Sequence, residues 1–362
     1  MKYKNFFDEL AETEKMVAGY IDNQLKSTKK IQPQILEDCV LSYVKRGGKK
    51  LRPAVLMLSC LAVGGDKQKA LAASAAVELF HTWTLVHDDV IDNDNLRRGV
   101  ETVHKTAERY AANNFKLEKD TAAKYGIDLA ILTGDVQHGW AISMLSNNLV
   151  QNGVKPEIAL HLISLLQIGV LRDLVEGEIL DVDFGLHYNI QDLSDEQILN
   201  MLWLKTGALY EFCGIAGSLI GKNVLSYDEE VVALKEFCSL AGVAFQVRDD
   251  ILGLIGKEKE LGKPVGSDIR EGKKTLLVKE ALNNANDAQK GMILNVLGNS
   301  KASESDIKHV TDLIVDLGGV EKAHKIAHDY IAKALPRLEI LKPSKSRDLL
   351  FDWANFLIDR DY

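Results

Sequence analysis

Proline is scarce, with six in 362 residues, and none falls between Pro156 and Pro264. That absence leaves room for long uninterrupted helices, because proline removes a backbone donor and breaks helix interiors. Strand signals are missing as well: no convincing stretch alternates apolar and polar residues with a period of two. Cysteine is sparse. Cys39, Cys60, Cys213 and Cys238 lie far apart in apolar helical runs, which points to reduced core thiols and away from bridges or a zinc site. Positive charge is not in excess, and a net charge of −8 speaks against nucleic acid as a partner. No run of roughly eighteen apolar residues is available to span a bilayer. Residues 1–9 lack the apolar core of a signal peptide, so a cytoplasmic protein is expected. Length alone favours two domains, though only as a soft prior.

What is present is concentrated acid. Val86-His87-Asp88-Asp89-Val90-Ile91-Asp92-Asn93-Asp94 carries four aspartates, followed at once by Arg97-Arg98-Gly99. With 3.6 residues per turn, Asp88 and Asp92 stack on one helix face with Asp89 beside them. Bare carboxylates that close repel by roughly 4 kcal/mol per pair at an effective dielectric near 20. They are either solvated or gathered around a cation. The apolar run Ala72 to Trp83 just upstream makes this the tip of a buried helix, and oxygen-only ligands favour Mg²⁺.

Along the chain, residues 1–46 read as two helices. Gly47-Gly48-Lys49-Lys50-Leu51-Arg52-Pro53 is a basic glycine turn opening a helix, a setting suited to an anion. Residues 66–92 form the central apolar helix. A charged segment at about 107–128 shows no clear face and reads as a surface insertion. Helix resumes at Ile127, and another runs from Pro156 to about Leu180. Ser194-Asp195-Glu196-Gln197 and Ser226-Tyr227-Asp228-Glu229 are capping-box patterns. The second opens a helix that ends in another acidic pair, Asp249-Asp250. Beyond it, Gly256, Gly262, Gly266 and Gly272 alternate with lysines, as in a mobile flap able to fold over an anion. The chain is expected to be all-α. Two acidic clusters and three cationic sites describe one cavity that clamps a diphosphate between metal and lysine or arginine, above a greasy pocket. A single domain, 1–362, is therefore expected.

In this order and spacing, the Gly48–Pro53 turn, His81, the first aspartate motif with Arg97-Arg98-Gly99, Lys205-Thr206, Phe245-Gln246, Asp249-Asp250 and Gly262 to Lys273 resemble the trans-isoprenyl diphosphate synthases. The resemblance implies an all-α, single-domain helical bundle of the isoprenoid synthase type around a central cavity. It implies Mg²⁺, three ions with bound diphosphate, held most directly by Asp88, Asp92 and Asp249 and supported by Asp89 and Asp250. Arg97, Lys205 and Lys263 would grip an allylic diphosphate. Lys49, Arg52, His81 and Arg98 would hold isopentenyl diphosphate. Thr206 and Gln246 would turn their oxygens to the developing allylic cation, and Lys273 would close the flap. Glu178 and Asp181 are given no metal role, and His104, His138 and His161 stay unassigned.

The second motif departs from many relatives in ending on Gly253, where they carry a third aspartate. A helical residue's side chain tilts toward the N-terminus, so the growing tail runs down from Asp88 toward Thr84, Trp83 and Phe80. Trp83 is the largest of these, and no insertion splits the first motif. In the family that combination points to a short product, geranylgeranyl diphosphate (C20), ahead of farnesyl (C15) and geranylfarnesyl (C25). The competing readings are a class I terpene cyclase and a non-catalytic subunit of a heteromeric synthase. Large apolar faces together with the resemblance point to a homodimer.

Overall fold

A computed structural model describes residues 2–27, 30–45, 48–256 and 266–359. As expected, the chain is helical. The one exception among the described residues is a two-residue antiparallel ribbon, β1 Leu96–Arg97 with β2 Val100–Glu101. The ribbon turns through Arg98 and Gly99, both at positive φ (55° and 75°). That pair of signs belongs to the type I′ turn, whose twist matches a hairpin.

The chain divides into two compact units. The first comprises residues 1–164, 215–231 and 342–350, and the second comprises 165–214, 232–341 and 351–362. The first unit is built around a central helix. It contains α1 (Lys4–Ser27), α2 (Gln34–Lys45), α3 (Leu51–Ala62), α4 (Lys67–Ile91), α5 (Val103–Phe115) and α6 (Lys119–Ser143). From Ala70 to Phe80 every residue of α4 is buried. A helix apolar all round must be covered on all sides, and the alanines at 70, 72, 73, 75 and 76 let its neighbours come close. Asp66 caps its start by accepting from the Lys69 amide at 3.0 Å. Its C-terminal turn carries Asp88, and Asp92 closes it by donating its amide to the Asp88 carbonyl.

The segment 107–128, expected to be a surface insertion, is a core element. It forms the end of α5 and the start of α6, with Ala107, Ala111 and Ala122 buried. A Cβ on Gly126 would lie 2.4 Å from the His104 carbonyl oxygen, so the two helices meet backbone to backbone. Contacts made by alanine and glycine leave no hydrophobic stripe to read. One helix bears on the expectation of no spanning segment without overturning it. Pro156–His187 is continuous helix, long and apolar enough by length and composition to cross a bilayer. Ser164 and Gln167 interrupt its apolar run without lowering its mean hydropathy below 1.7 over the best window.

In the second unit, Ser194 forms the expected capping box with Gln197 at the start of the helix Asp195–Leu202. The other expected box does not form. The helix Glu229–Ile255 is capped by Asp228, whose Oδ1 accepts from the Val231 amide at 3.2 Å. A charged acceptor one residue from the helix start outcompetes the hydroxyl of Ser226, two residues further out. The same helix runs past Asp249-Asp250, so the second acid pair sits within a helix and does not end it. Trp353, fully buried, packs its ring 5.3 Å from Tyr210 and 5.6 Å from Phe237.

Glycine sets one close approach in the first unit. A Cβ on Gly217, in the helix Ala208–Lys222, would lie 2.3 Å from the Leu56 carbonyl oxygen of α3. Gly217→Ala is therefore expected to destabilise the protein by about 1–3 kcal/mol through overpacking. A lowered urea midpoint with unchanged m-value checks it.

Candidate active site

In the first unit the ribbon places two arginines differently. Arg97 turns inward, and its Nε donates to Asp89 Oδ1 at 2.6 Å. Asp89 is fully buried and its other oxygen accepts from the Tyr43 hydroxyl. The Tyr43 oxygen in turn accepts from the Val103 amide at 3.3 Å. Both carboxylate oxygens of Asp89 are thus committed to ordering Arg97 and the start of α5. The supporting metal role expected for Asp89 does not fit this position: it is a clamp for Arg97. Burial pushes the Asp89 carboxyl up, against the pull of Arg97 and Tyr43, while the Tyr43 phenol is raised by burial and by the adjacent Asp89 charge.

Arg98 turns the other way, onto the bare face of Gly48, where a Cβ would lie 2.3 Å from its guanidinium. Gly48 sits at φ +126°, so the turn needs a glycine both for conformation and for space. Lys50, next but one, adopts φ +43° and buries its ammonium against Glu78 at 2.5 Å. Arg52 donates to His81 Nε2 at 3.2 Å. Because a guanidinium cannot accept, the imidazole is the acceptor and carries its proton on Nδ1. Burial and the neighbouring Arg52, Arg98, Arg97 and Lys50 hold the His81 pKa well below the usual imidazole range. Of these cations Lys50 and Arg97 are paired with Glu78 and Asp89, while Arg52 bears directly on the imidazole. Lys49 is exposed beside it. Of the residues assigned to isopentenyl diphosphate, the structure brings Arg52, His81 and Arg98 together.

The floor residues also fall in this unit. Phe80 is fully buried, while Trp83 and Thr84 are half-buried on α4, one to two turns before Asp88. The Trp83 ring lies 5.0 Å from Phe80, edge-on.

In the second unit Lys205 and Thr206 occupy a π turn, Trp203–Gly207. Single π turns inside α-helices frequently mark functional positions, and no sequence period signals one. The turn is held where the Trp203 indole donates to Ser239 at 2.8 Å and lies over the bare Gly207. A Cβ on Gly177 would meet the Lys205 amide nitrogen at 2.5 Å, so the helix Leu171–His187 presses directly on it. One turn along that helix, Glu178 and Asp181 each take the Lys205 ammonium at 2.7 Å. The sequence reading gave these two acids no metal role. They are partners of Lys205, which arrives in the site already held.

Thr206, buried, donates its hydroxyl to Gln246 Oε1 at 2.8 Å, and Gln246 Nε2 donates to Asp250 Oδ1 at 3.0 Å. The Gln246 oxygen is therefore shared with Thr206, and the pair acts as one polar chain ending on Asp250. The Asp250 carboxyl is raised well above the usual range by burial and by Asp268, Asp181 and Asp249. Lys273 pairs with Glu271 at 2.8 Å and with Asp268 at 3.7 Å. Asp268 also answers the missing third aspartate: its Oδ2 lies 2.7 Å from where a Gly253 Cβ would be. Lys263 and most of the glycine-lysine flap, 257–265, lie outside the described residues.

Do these residues fit Mg²⁺? The donors are all carboxylate oxygen, and the acids around Asp250 push its carboxyl up together with burial, as crowded carboxylates do where a cation is wanted. Among the described residues no three such side chains converge to hold a bare ion. That too fits Mg²⁺, which takes several of its ligands from water and substrate phosphate.

The family described as polyprenyl synthetase matches residues 33–314 of this chain. A geranylgeranyl diphosphate synthase of Saccharolobus solfataricus is 35% identical over 95% of this chain and 96% of its own. A geranylfarnesyl diphosphate synthase of Aeropyrum pernix is 34% identical over 94% of this chain and 99% of its own. Among solved structures, a geranylgeranyl pyrophosphate synthase from Corynebacterium glutamicum, complexed with isoprenyl diphosphate and magnesium, is similar at TM-score 0.84 and 27% identity, covering 99% of this chain and all of that one.

Removing the clamp's hydroxyl isolates its effect. Tyr43→Phe leaves a buried carboxylate short of one donor, and a loss of about 1.5–3 kcal/mol is expected. Chemical denaturation checks it; no loss would mean that Arg97 alone satisfies Asp89.

Proposed function

The chain belongs to the polyprenyl synthetase family and is a prenyltransferase, and from that premise we propose that it condenses isopentenyl diphosphate with an allylic diphosphate to make geranylgeranyl diphosphate. The observation that carries this reading is the Arg52–His81 contact at 3.2 Å, in the same unit as Arg98 laid over the Gly48 turn. A class I cyclase binds one diphosphate and has no use for a second anion site, whereas a condensing enzyme needs one for each substrate. The same site weighs against a purely non-catalytic subunit.

We assign Asp88, Asp92 and Asp249 to Mg²⁺, with three ions in the loaded enzyme and Asp250 in support. The chemistry Mg²⁺ supplies when bound is neutralisation of the departing diphosphate. Lys205 and Lys263 grip the allylic diphosphate with Arg97, which Asp89 orients. Arg52, His81, Arg98 and Lys49 hold isopentenyl diphosphate by its diphosphate. The neutral His81 donates through Nδ1–H, and the arginines supply the charge. Thr206 and Gln246 present oxygen to the allylic carbon as its bond to oxygen breaks. The double bond of isopentenyl diphosphate then adds to that carbon, and the released diphosphate takes the proton that leaves. Lys273 belongs to the closing segment. Phe80, Trp83 and Thr84 form the floor that ends chain growth. We propose that 1–362 works as one functional domain.

We further propose a homodimer working in the cytoplasm. Its support in the second unit is one exposed stripe, Ile168, Val175, Ile179 and Leu186, each at least half exposed. The spacing of 7, 4 and 7 residues puts all four on one helix face, and a contiguous apolar face of this kind marks an interface. The exposed Arg172 and Glu176 on the same helix favour a protein partner over a bilayer.

Purified protein given Mg²⁺, farnesyl diphosphate and labelled isopentenyl diphosphate is expected to yield a labelled C20 diphosphate. A hydrocarbon formed without isopentenyl diphosphate would replace this reading by a cyclase, and no turnover would replace it by a scaffold. Trp83→Ala is expected to lengthen the product by at least one C5 unit. An unchanged product mass would remove Trp83 from the floor.

A further inference from the structure

If Trp83 ends chain growth, something must fix the Trp83 ring, and its own helix does only part of that. Phe80 and His87, three residues before and four after on α4, touch it edge-on at 5.0 Å and 5.6 Å. Phe80 is fully buried and cannot yield. The remaining contacts come from α6. The His138 ring stands 5.0 Å from Trp83 and 5.7 Å from Phe80. One turn earlier, Gly134 faces the same rings: a Cβ there would lie 2.1 Å from His87 Nε2 and 2.8 Å from Trp83 Cδ1. One turn earlier again, the Ile131 carbonyl oxygen lies 3.2 Å from His87 Nε2.

Gly134 is helical and its φ is not positive, so its backbone does not require glycine. In a helix interior glycine costs about 1 kcal/mol relative to alanine. What the missing side chain provides is room: the indole and the imidazole lie directly on the α6 backbone. The indole is therefore clasped between Phe80 and His87 on one helix and Gly134 and His138 on the other.

We propose that Gly134 and His138 are specificity-determining residues that set the position of the Trp83 indole and thereby the length at which the prenyl chain stops. This rests on the floor reading given above for Trp83. Removing the His138 ring lets the indole lean toward α6 and opens the path ahead of the tail. Adding a methyl at Gly134 drives the indole off α6 and shortens that path.

Product mass profiles of four variants, under one substrate ratio, test the proposal. His138→Ala is expected to raise the ratio of longer to C20 product about tenfold, within the range that one or a few methylenes of pocket space command. His138→Phe, which keeps a ring beside the indole, is expected to restore the parent profile. Gly134→Ala is expected to shift the profile toward C15. Trp83→Ala reports on the floor itself. If Trp83→Ala lengthens the product while His138→Ala and Gly134→Ala keep the parent profile, the proposed seat is wrong and the floor stands. If Trp83→Ala changes nothing, the floor reading fails and the seat with it. Should Gly134→Ala not fold, His138→Ala with its phenylalanine rescue decides alone; a merely structural histidine would alter yield or melting without moving the product ratio.

Discussion

Like charge crowded into low-dielectric surroundings is the constraint on which both units of this chain depend. In the first unit four cations bear on one neutral histidine, and in the second Asp181, Asp249 and Asp268 bear on Asp250. Neither arrangement is comfortable without counter-charge, since a desolvated charge needs a partner or a changed protonation state. Each unit lessens the strain with buried pairs of its own: Lys50 with Glu78 and Arg97 with Asp89 in the first, Lys205 with Glu178 and Asp181 in the second. Under the proposed assignments, the residual imbalance would draw anionic substrate to one group of side chains and metal to the other.

Much of this was legible from residue order. The aspartates of the first motif sit at the tip of a buried helix because a long apolar run precedes them. Arg98-Gly99 turns because glycine follows an arginine able to take positive φ. Ser194 caps because glutamine stands three residues on. Other features had no local signature. Ala107, Ala111 and Gly126 pack without a hydrophobic stripe, so a core hairpin read as surface. The π turn at Lys205 depends on Trp203 finding Ser239, a contact between distant segments. Asp228 displaced Ser226 as a cap because a carboxylate closer to the first free amides is the stronger acceptor.

Residue roles were harder to read than residue positions. Asp89 and Asp88 are adjacent in a motif, yet only one of them is fully buried and tied to Tyr43 and Arg97. Glu178 and Asp181 carry no motif signal as partners of Lys205, because Gly177 brings the two helices together and the acids then reach its ammonium. The absent third aspartate at 253 looked like a loss of one ligand. In space the position is filled by Asp268 of the helix Ser267–Glu271, so counting acids along the motif understates the carboxylates around it.

Under the proposed role of Lys205 as a diphosphate ligand, its pairing carries a consequence for how an anion would enter. A surface lysine must give up water and rotamer freedom when it binds phosphate, and salt screens the encounter. Lys205 is already desolvated and confined by two carboxylates, so an arriving diphosphate exchanges one set of oxygens for another. Affinity at that point becomes a competition between ligands within the protein and ligands from outside. On that proposal Glu178 and Asp181 would act as a threshold, one that a metal-backed diphosphate crosses more readily than a weakly charged anion such as inorganic phosphate.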